Sequence, residues 1–227
     1  MRRTVIPELL DADAGSPAEI HDSLADLRGI NRRFGGISTT RSLIEHLSAA
    51  TNLRNLSLLD VAAGSGDVAH AAQRQLAPRG IRLSYMLLDS AASHLNGHRP
   101  SIVANALALP FRECSFDLVS CSLFLHHLEP DEVRRFVNEA LRVSRLAVLI
   151  NDLRRSAIHL ALVYAGFPLF RSRLTRHDAP ASVRRAYRHT ELRDILASTD
   201  AAHVEIVHHF LYRLGVIAWK HRPSEAQ

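Results

Sequence analysis

The stretch Leu58-Leu59-Asp60-Val61-Ala62-Ala63-Gly64-Ser65-Gly66-Asp67 joins an apolar run, two closely spaced glycines and the start of an amphipathic segment. The apolar run over residues 56–61 predicts a buried β-strand, and residues 67–77 predict a helix. Glycine between them lets the backbone turn sharply and approach a ligand closely. The free N–H groups at the start of the helix would face the same turn. This strand–turn–helix unit predicts an α/β protein with a ligand at the turn.

The alternation of strands and helices continues on the C-terminal side of this unit. Further strands are predicted at residues 82–88, 101–104, 116–121 and 146–150, and helical segments at 90–97 and 131–143. Such alternation implies parallel strands joined by crossover helices. Residues 204–210 and 212–219 are strand-like and nearly adjacent, which predicts an antiparallel hairpin. The expected fold is a Rossmann-like, doubly wound α/β sheet of seven strands that ends in a C-terminal β-hairpin.

Composition narrows the class of protein. The 227 residues, 47% of them hydrophobic, suffice for one domain with a buried core. The formal net charge of +5 comes almost wholly from arginine, since Lys220 is the only lysine, and such a field attracts anions without specificity. Cys114 and Cys121 do not form a C-x-x-C pair, so no disulfide or zinc site is expected. We find no signal peptide and no stretch long enough to span a membrane, and therefore expect a soluble, cytoplasmic protein.

The glycine turn alone leaves several ligands open. The series Gly64-x-Gly66-x-x-Ala69, with Asp89 downstream, also satisfies a dinucleotide fingerprint, and the turn could equally bind no ligand. Asp60 precedes the turn and Asp67 follows it, and two carboxylates would repel a pyrophosphate. A sulfonium cofactor that carries an ammonium group would not be repelled. The flanking acids therefore favour S-adenosylmethionine over NAD.

Three later segments carry a resemblance to a known family. They are Asn105-Ala106-Leu107-Ala108-Leu109-Pro110-Phe111, Ser115-Phe116-Asp117-Leu118-Val119 and Leu125-His126-His127-Leu128. In this order, after the glycine turn, they resemble the class I S-adenosylmethionine-dependent methyltransferases of the ubiquinone/menaquinone-methylase-like, small-molecule type. The resemblance covers roughly residues 56–150. It implies that the cofactor is S-adenosylmethionine.

The resemblance, together with the residues of the turn, gives a set of cofactor-binding candidates. Asp89, at the end of the second strand, can accept hydrogen bonds from the ribose hydroxyls, although it could instead cap a helix. The family usually has Asp at the position of Asn105, whose amide oxygen can still accept a hydrogen bond from the adenine amino group. The resemblance places Ser120 beside the transferred methyl group. The complete set is Asp60, Ala62, Gly64, Ser65, Gly66, Asp89, Ser90, Asn105, Ala106 and Ser120.

Four residues are catalytic candidates. His126 and His127 follow the fourth strand, where a histidine could take a proton from a phenol or enol, or could simply pack the loop. Asp152 or its neighbour Asn151 could orient a substrate hydroxyl at the end of the fifth strand, although Asp152 could instead cap the next helix. His177 could form an acid–base pair with the adjacent Asp178. No metal site is expected, because we find no set of Asp, Asn and Glu spaced as in magnesium-dependent catechol enzymes.

These elements predict four parts of the chain. They are an N-terminal arm with helices over residues 1–55, an S-adenosylmethionine-binding core over 56–152, a helical cap over 153–189, and a closing helix and hairpin over 190–227. Residues 1–16 are expected to be a loose arm, followed by helices at 17–28 and 40–50. The apolar residues 157–170 of the cap suit a lid over an apolar substrate.

The expected reaction is methyl transfer to a small phenolic, polyketide or quinone-type acceptor, with O-methylation favoured over C-methylation in a quinone pathway. A nucleic-acid methyltransferase is the first alternative, but residues 120–123 read Ser-Cys-Ser-Leu where base-amino enzymes have Asp/Asn-Pro-Pro-aromatic. A non-catalytic binding protein and an NAD-dependent enzyme are the others. The expected partner is a small molecule, with no specific nucleic acid and no membrane span; a homodimer is left open.

Overall fold

The computed structural model describes residues 1–12, 14–95, 100–209 and 211–222, and its centre is one sheet of seven strands in the order β3-β2-β1-β4-β5-β7-β6. The strands are β1 (Asn55–Val61), β2 (Arg82–Asp89), β3 (Ser101–Val103), β4 (Phe116–Ser122), β5 (Ser144–Leu153), β6 (His203–His209) and β7 (Arg213–Trp219). β1 to β5 are parallel, and β7 runs antiparallel to both β5 and β6. The predicted fold class, including the terminal hairpin, is confirmed.

Eight α-helices lie among the described residues. They are α1 (Pro17–Arg33), α2 (Gly36–Thr51), α3 (Asp67–Leu76), α4 (Ala92–Leu95), α5 (Pro130–Val143), α6 (Ala157–Ala165), α7 (Arg173–Arg185) and α8 (His189–Leu196). The helices predicted at 17–28 and 40–50 are longer than expected, and only Phe34 and Gly35 separate them, where Gly35 takes a left-handed φ of 83°. Predictions at residues 96, 97 and 210 lie outside the described residues.

Alternate side chains of the strands build two cores, one on each face of the sheet. Leu58 of β1 and Leu118 of β4 pack on the face that α2 and α3 cover. Leu59 of β1 and Val119 of β4 pack on the face that α5 covers. The central strands are therefore buried on both sides, which explains why adjacent residues such as Leu58-Leu59 and Leu118-Val119 are both apolar.

The buried Arg213 joins the first two helices to the sheet. Its guanidinium donates to the Phe34 carbonyl at 3.2 Å, to Asn31 Oδ1 at 3.1 Å and to Asn151 Oδ1 at 3.4 Å. Burial lowers its pKa to about 10, and the nearby Asp152 opposes that shift. The side chain fixes the α1–α2 junction over the end of β5.

The N-terminal arm, residues 1–12 (the arm below), packs against the body of the protein, so the expectation of a loose arm was wrong. Its bonds run from Arg3 to the carbonyls of Leu128 and Arg185, from the Thr4 N–H to the Arg184 carbonyl, and from the Leu9 and Leu10 N–H groups to the Asp178 carboxylate. The sequence lacked a periodic pattern here because the partners lie more than 120 residues away.

The segment predicted as a cap divides into two unlike helices. α7 packs against α1 and α6 and buries Leu174, Ala181 and Val183. α6 buries none of its residues, and Ile158 and Leu162 are 63% and 49% exposed. Among the described residues, none of the helices has both the length and the apolar character that crossing a membrane requires.

We expect Arg213→Met to lower the free energy of unfolding by about 2–4 kcal/mol, because the buried Asn151 Oδ1 and two partly buried acceptors lose their donor at once. Urea unfolding followed by circular dichroism measures this change. Arg145→Met is the matched control, since it removes an ion pair with Asp117 that is half exposed on the arginine side. This control substitution should lower the free energy of unfolding by less than about 1 kcal/mol. Equal losses in the two variants would contradict the anchoring role of Arg213.

Candidate cofactor and acceptor site

The turn after β1 has backbone conformations that a ligand site requires. Gly64 and Gly66 have φ of 54° and 71°, and Ala62 has a φ of 52° although it is not glycine. A Cβ at Gly66 would lie 2.4 Å from Leu87 Cδ1, whereas one at Gly64 would meet nothing within 4 Å. Gly66 is therefore required for packing against β2, and Gly64 leaves open space beside the backbone.

A second strained residue, Leu123, follows β4 with a φ of 56°, and its N–H donates to the Asn151 carbonyl at 2.9 Å. Left-handed backbone in a non-glycine residue costs free energy and is concentrated at functional sites. Ala62 and Leu123 end the two strands at which the sheet order reverses, β1 and β4. Ligands of open α/β sheets bind in the crevice at this switch point. Sequence reasoning did not single out Leu123, because nothing in the sequence predicts a positive φ for leucine.

Asp60 and Ser120 face each other across the switch point. They are paired in register on β1 and β4, and the Ser120 hydroxyl donates to Asp60 Oδ1 at 2.6 Å. Both side chains are buried. Burial raises the pKa of Asp60 to about 6; the hydrogen bond from Ser120 opposes this shift, and the Asp89 charge adds to it. Two of the predicted cofactor residues thus form one buried polar pair beneath the crevice.

Asp89 ties the end of β2 to the glycine turn. Its Oδ2 accepts the Gly64 N–H at 2.8 Å, and its Oδ1 accepts the Ala91 N–H at 3.0 Å and lies 3.3 Å from His94 Nδ1. Burial alone would raise the pKa of Asp89, but the hydrogen bonds outweigh it and the pKa is lowered. A carboxylate offers about four lone-pair positions, so Oδ2 retains one for a further donor.

The remaining cofactor candidates lie around the same crevice or on its rim. The Ser65 hydroxyl donates to Asp67 Oδ2 at 2.5 Å and so belongs to the turn itself. Ser90 and Asn105 are exposed, and Ala106 is half-buried. Asn105 Oδ1 already accepts the Leu107 N–H at 2.9 Å, which leaves one lone pair of that oxygen for an adenine amino group.

The predicted catalytic residues His126 and Asp152 form a buried pair. His126 Nδ1 lies 2.6 Å from Asp152 Oδ1, and the His126 N–H donates to Asp152 Oδ2 at 3.0 Å. Burial alone would raise the pKa of Asp152, but the neighbouring His126 outweighs it and the pKa is lowered. Asp152 lies within β5 and does not cap α6, whose N-cap is Ser156. The capping alternative for Asp152 is therefore wrong.

The arm completes this cluster with two acids that sequence reasoning missed. Asp11 Oδ2 lies 2.7 Å from His127 Nδ1. Glu8 is buried, accepts a hydrogen bond from the Ser182 hydroxyl at 2.9 Å, and faces both histidines. Burial raises the pKa of Glu8 to about 7, with His127 opposing the shift. We call Glu8, Asp11, His126, His127 and Asp152 the histidine–carboxylate cluster. Nothing local in the sequence marks the two acids, since 116 residues separate Asp11 from His127.

Two other expectations, for Asn151 and for His177, have different outcomes. The Asn151 amide donates to the Gly36 carbonyl at 2.6 Å and to Thr40 Oγ1 at 3.0 Å. This buried side chain therefore holds α2 in place, and the prediction that it orients a substrate was wrong. His177 Nδ1 does lie 2.8 Å from Asp178 Oδ1, as predicted for a pair. The same carboxylate accepts the two N–H groups of the arm, so the pair lies where the arm is anchored.

Comparison with known proteins agrees with this geometry. Residues 59–147 match the model of a methyltransferase domain. The curated ubiquinone/menaquinone biosynthesis C-methyltransferase UbiE of Rickettsia prowazekii (strain Madrid E) is 34% identical over 101 residues, which are 39% of this chain and 40% of that protein. The match thus spans about two fifths of the relative's length.

Solved structures support the fold over most of the chain. The plantazolicin methyltransferase BpumL, solved in complex with SAH (S-adenosylhomocysteine), has a TM-score of 0.66 at 13% identity and covers 88% of this chain and 89% of its own. A SAM-dependent methyltransferase from Aquifex aeolicus has a TM-score of 0.59 at 17% identity, covering 90% and 98%. Residues 59–147 thus match a methyltransferase domain, and the two solved methyltransferases share the fold of this chain.

Because the folded-state pKa of Asp60 lies above its unfolded value of 3.8, ionisation of Asp60 destabilises the fold as pH rises from about 4 to about 6. Asp60→Asn removes this ionisation. We therefore expect the free energy of unfolding of Asp60→Asn, minus that of wild type, to increase by roughly 2 kcal/mol as the pH rises from 4 to 6.5. Urea unfolding of the cofactor-free chain across this range measures the difference.

Asp117→Asn is the control for this pH effect. Burial would raise the pKa of Asp117, but its bonds to Ser57 and Arg145 outweigh burial and lower it. The stability that Asp117 contributes is therefore lost only below its unfolded value of 3.8, and the Asp117→Asn difference should stay nearly constant between pH 4 and 6.5. A constant difference for Asp60→Asn as well would show that Asp60 does not carry the raised pKa.

Proposed function

We propose that this chain uses S-adenosylmethionine to methylate a small, apolar acceptor of phenolic, polyketide or quinone type, and that the acceptor atom is oxygen. The single observation that carries this proposal is the histidine–carboxylate cluster. The cluster lies at the carboxyl ends of β4 and β5. The glycine turn after β1 lies at the same edge of the sheet. Proton acceptors beside a methyl-donor crevice suit an acceptor that loses a proton.

The cofactor would lie over the turn after β1. When bound, it supplies an electrophilic methyl group and a sulfide leaving group. The open space at Gly64 admits its amino-acid portion, and the free lone pair of Asp89 accepts a ribose hydroxyl. Asn105 and Ala106 receive the adenine edge. Asp60 and Asp67 add negative charge that favours a cationic cofactor over a pyrophosphate.

The acceptor would lie on the other side of the crevice. In the proposed step, a lone pair of the acceptor oxygen would form the new bond to the methyl carbon while the bond from that carbon to the sulfonium sulfur breaks, and the acceptor proton would pass to the histidine–carboxylate cluster. Asp152 orients His126 through Nδ1, and Asp11 orients His127 in the same way. His177 is then a positioning residue, since its partner Asp178 holds the arm. The exposed apolar side chains Ile158 and Leu162 of α6 support an apolar acceptor and the cap role of this helix.

A second candidate is C-methylation of a quinone precursor. It is supported by the curated relative, which is named as a C-methyltransferase of ubiquinone and menaquinone biosynthesis. Cys114 and Cys121 are free thiols, which supports the cytoplasm as the place of either reaction. Neither candidate depends on a nucleic acid, and a homodimer is a further prediction that a measured solution mass would test.

The test is a panel of phenols and hydroxyquinones incubated with methyl-labelled S-adenosylmethionine, with the methylated atom of any product assigned by NMR. We expect label on oxygen of at least one apolar acceptor. Label on ring carbon would favour the second candidate. Absence of labelled product, with the cofactor bound, would contradict both.

For the same assay we predict that His126→Ala and His127→Ala each lower turnover by roughly 10²-fold, because each removes a group that handles the acceptor proton. Affinity for S-adenosylhomocysteine should stay unchanged, since the cluster lies outside the cofactor turn. His46→Ala is the matched control, because His46 also faces a carboxylate, Glu205, at 3.1 Å but lies on α2. If turnover were unchanged in both cluster variants, the pair would have no part in the reaction.

A further inference from the structure

We propose that Glu8, His126 and His127 bind a divalent transition-metal ion. One carboxylate oxygen of Glu8 and one ring nitrogen of each histidine all lie within 4.8 Å of one another. Glu8 Oε1 lies 3.6 Å from His126 Nε2, and Glu8 Oε2 lies 3.9 Å from His127 Nε2. Two imidazoles and a carboxylate are a ligand set for zinc or non-haem iron, and they leave a fourth position open.

The spacing suits ligands of one ion better than hydrogen bonds. Both distances from Glu8 to the histidine nitrogens exceed the hydrogen-bond range, so the carboxylate does not bond either ring directly. Ligand atoms about 2.0–2.2 Å from a tetrahedral zinc ion are separated from each other by roughly 3.3 Å. Small movements of the side chains would bring these atoms to that separation. The side chain of His126 is 2% exposed, that of Glu8 is 8% exposed and that of His127 is 16% exposed, so the site is sheltered from water.

The surrounding bonds are those that metal-binding histidines make. His126 Nδ1 lies 2.6 Å from Asp152, and His127 Nδ1 lies 2.7 Å from Asp11. A carboxylate at the second ring nitrogen fixes the tautomer, leaves Nε2 free to bind a cation, and makes the ring a stronger ligand. Both histidines of this site have that partner, and both direct Nε2 toward Glu8.

The charges at this point also favour a cation. Glu8, Asp11 and Asp152 place three carboxylates around two imidazoles. The Arg185 guanidinium, on α7 beside the cluster, donates a hydrogen bond to the His127 carbonyl.

The ion would link two distant parts of the chain, because Glu8 belongs to the arm and the histidines follow β4. It would therefore add a metal–ligand bond to the hydrogen bonds that hold the arm. Binding itself does not depend on the reaction proposed above. If an acceptor oxygen took the open position, the ion would promote loss of its proton, and this effect would replace proton uptake by the metal-bound histidines.

The experiment is a titration of the metal-stripped full-length chain with Zn²⁺ in competition with a chromogenic chelator. We expect one ion per chain. Glu8→Gln and His127→Asn should each abolish this binding, while both variants keep wild-type affinity for S-adenosylhomocysteine, which shows that they are folded. Asp11→Asn and Asp152→Asn should weaken Zn²⁺ binding by about 10- to 100-fold, as partners of the ligands rather than ligands.

His46→Asn serves as the control, since it removes an exposed histidine that faces a carboxylate elsewhere on the surface. Its Zn²⁺ affinity should match that of wild type. The proposal is overturned if the wild-type chain binds no stoichiometric Zn²⁺, Co²⁺ or Fe²⁺. It is equally overturned if Glu8→Gln and His127→Asn bind Zn²⁺ as wild type does, or if His46→Asn loses as much affinity as they do. Because the readout is binding, failure here leaves the methyl-transfer proposal to its own assay.

Discussion

The side-by-side pairing of β1 with β4 is the constraint on which the rest of the structure depends. This pairing sets Asp60 opposite Ser120 and opens a crevice between the segments that follow the two strands. The glycine turn lines one side of that crevice and the segment after β4 lines the other. Ala62 and Leu123, the first residues beyond the strands, both take left-handed φ values to make these turns. Backbone strain is thus present where cofactor and acceptor would meet, although Asn52, Cys114, Leu211 and Tyr212 also have positive φ.

The acceptor side of the crevice depends on the arm as much as on the sheet. His126 is 2% exposed, and Glu8 and Asp11 of the arm face the two histidines. The histidine–carboxylate cluster lies between the arm, whose Glu8 bonds Ser182 of α7, and Asp152 at the end of β5. The arm is held by hydrogen bonds to the Arg185 carbonyl and the Asp178 carboxylate rather than by a strand or helix of its own. Such a segment can move at a smaller cost in free energy than the core beneath it.

The sequence predicted the parts of the fold that local patterns encode. Adjacent apolar residues mark β1, β4 and β5, and the two glycines mark the turn, because burial on both faces and positive φ each leave a local pattern in the sequence. His126 and Asp152 could each be named as candidates, but their pairing could not, since it follows from the register of β4 with β5. Asn151 was misassigned because its partners, Gly36 and Thr40, lie more than 110 residues away. Glu8 and Arg213 were missed for the same reason: a buried charge is visible only when its tertiary partners are known.

The most direct test of the central claim, that the crevice above Asp60 and Ser120 binds S-adenosylmethionine, is isothermal titration calorimetry of the full chain. S-adenosylhomocysteine and NAD would be titrated separately under the same conditions. The structure predicts saturable binding of S-adenosylhomocysteine at one site per chain and no heat of binding for NAD. Tight binding of NAD without binding of S-adenosylhomocysteine would contradict the account.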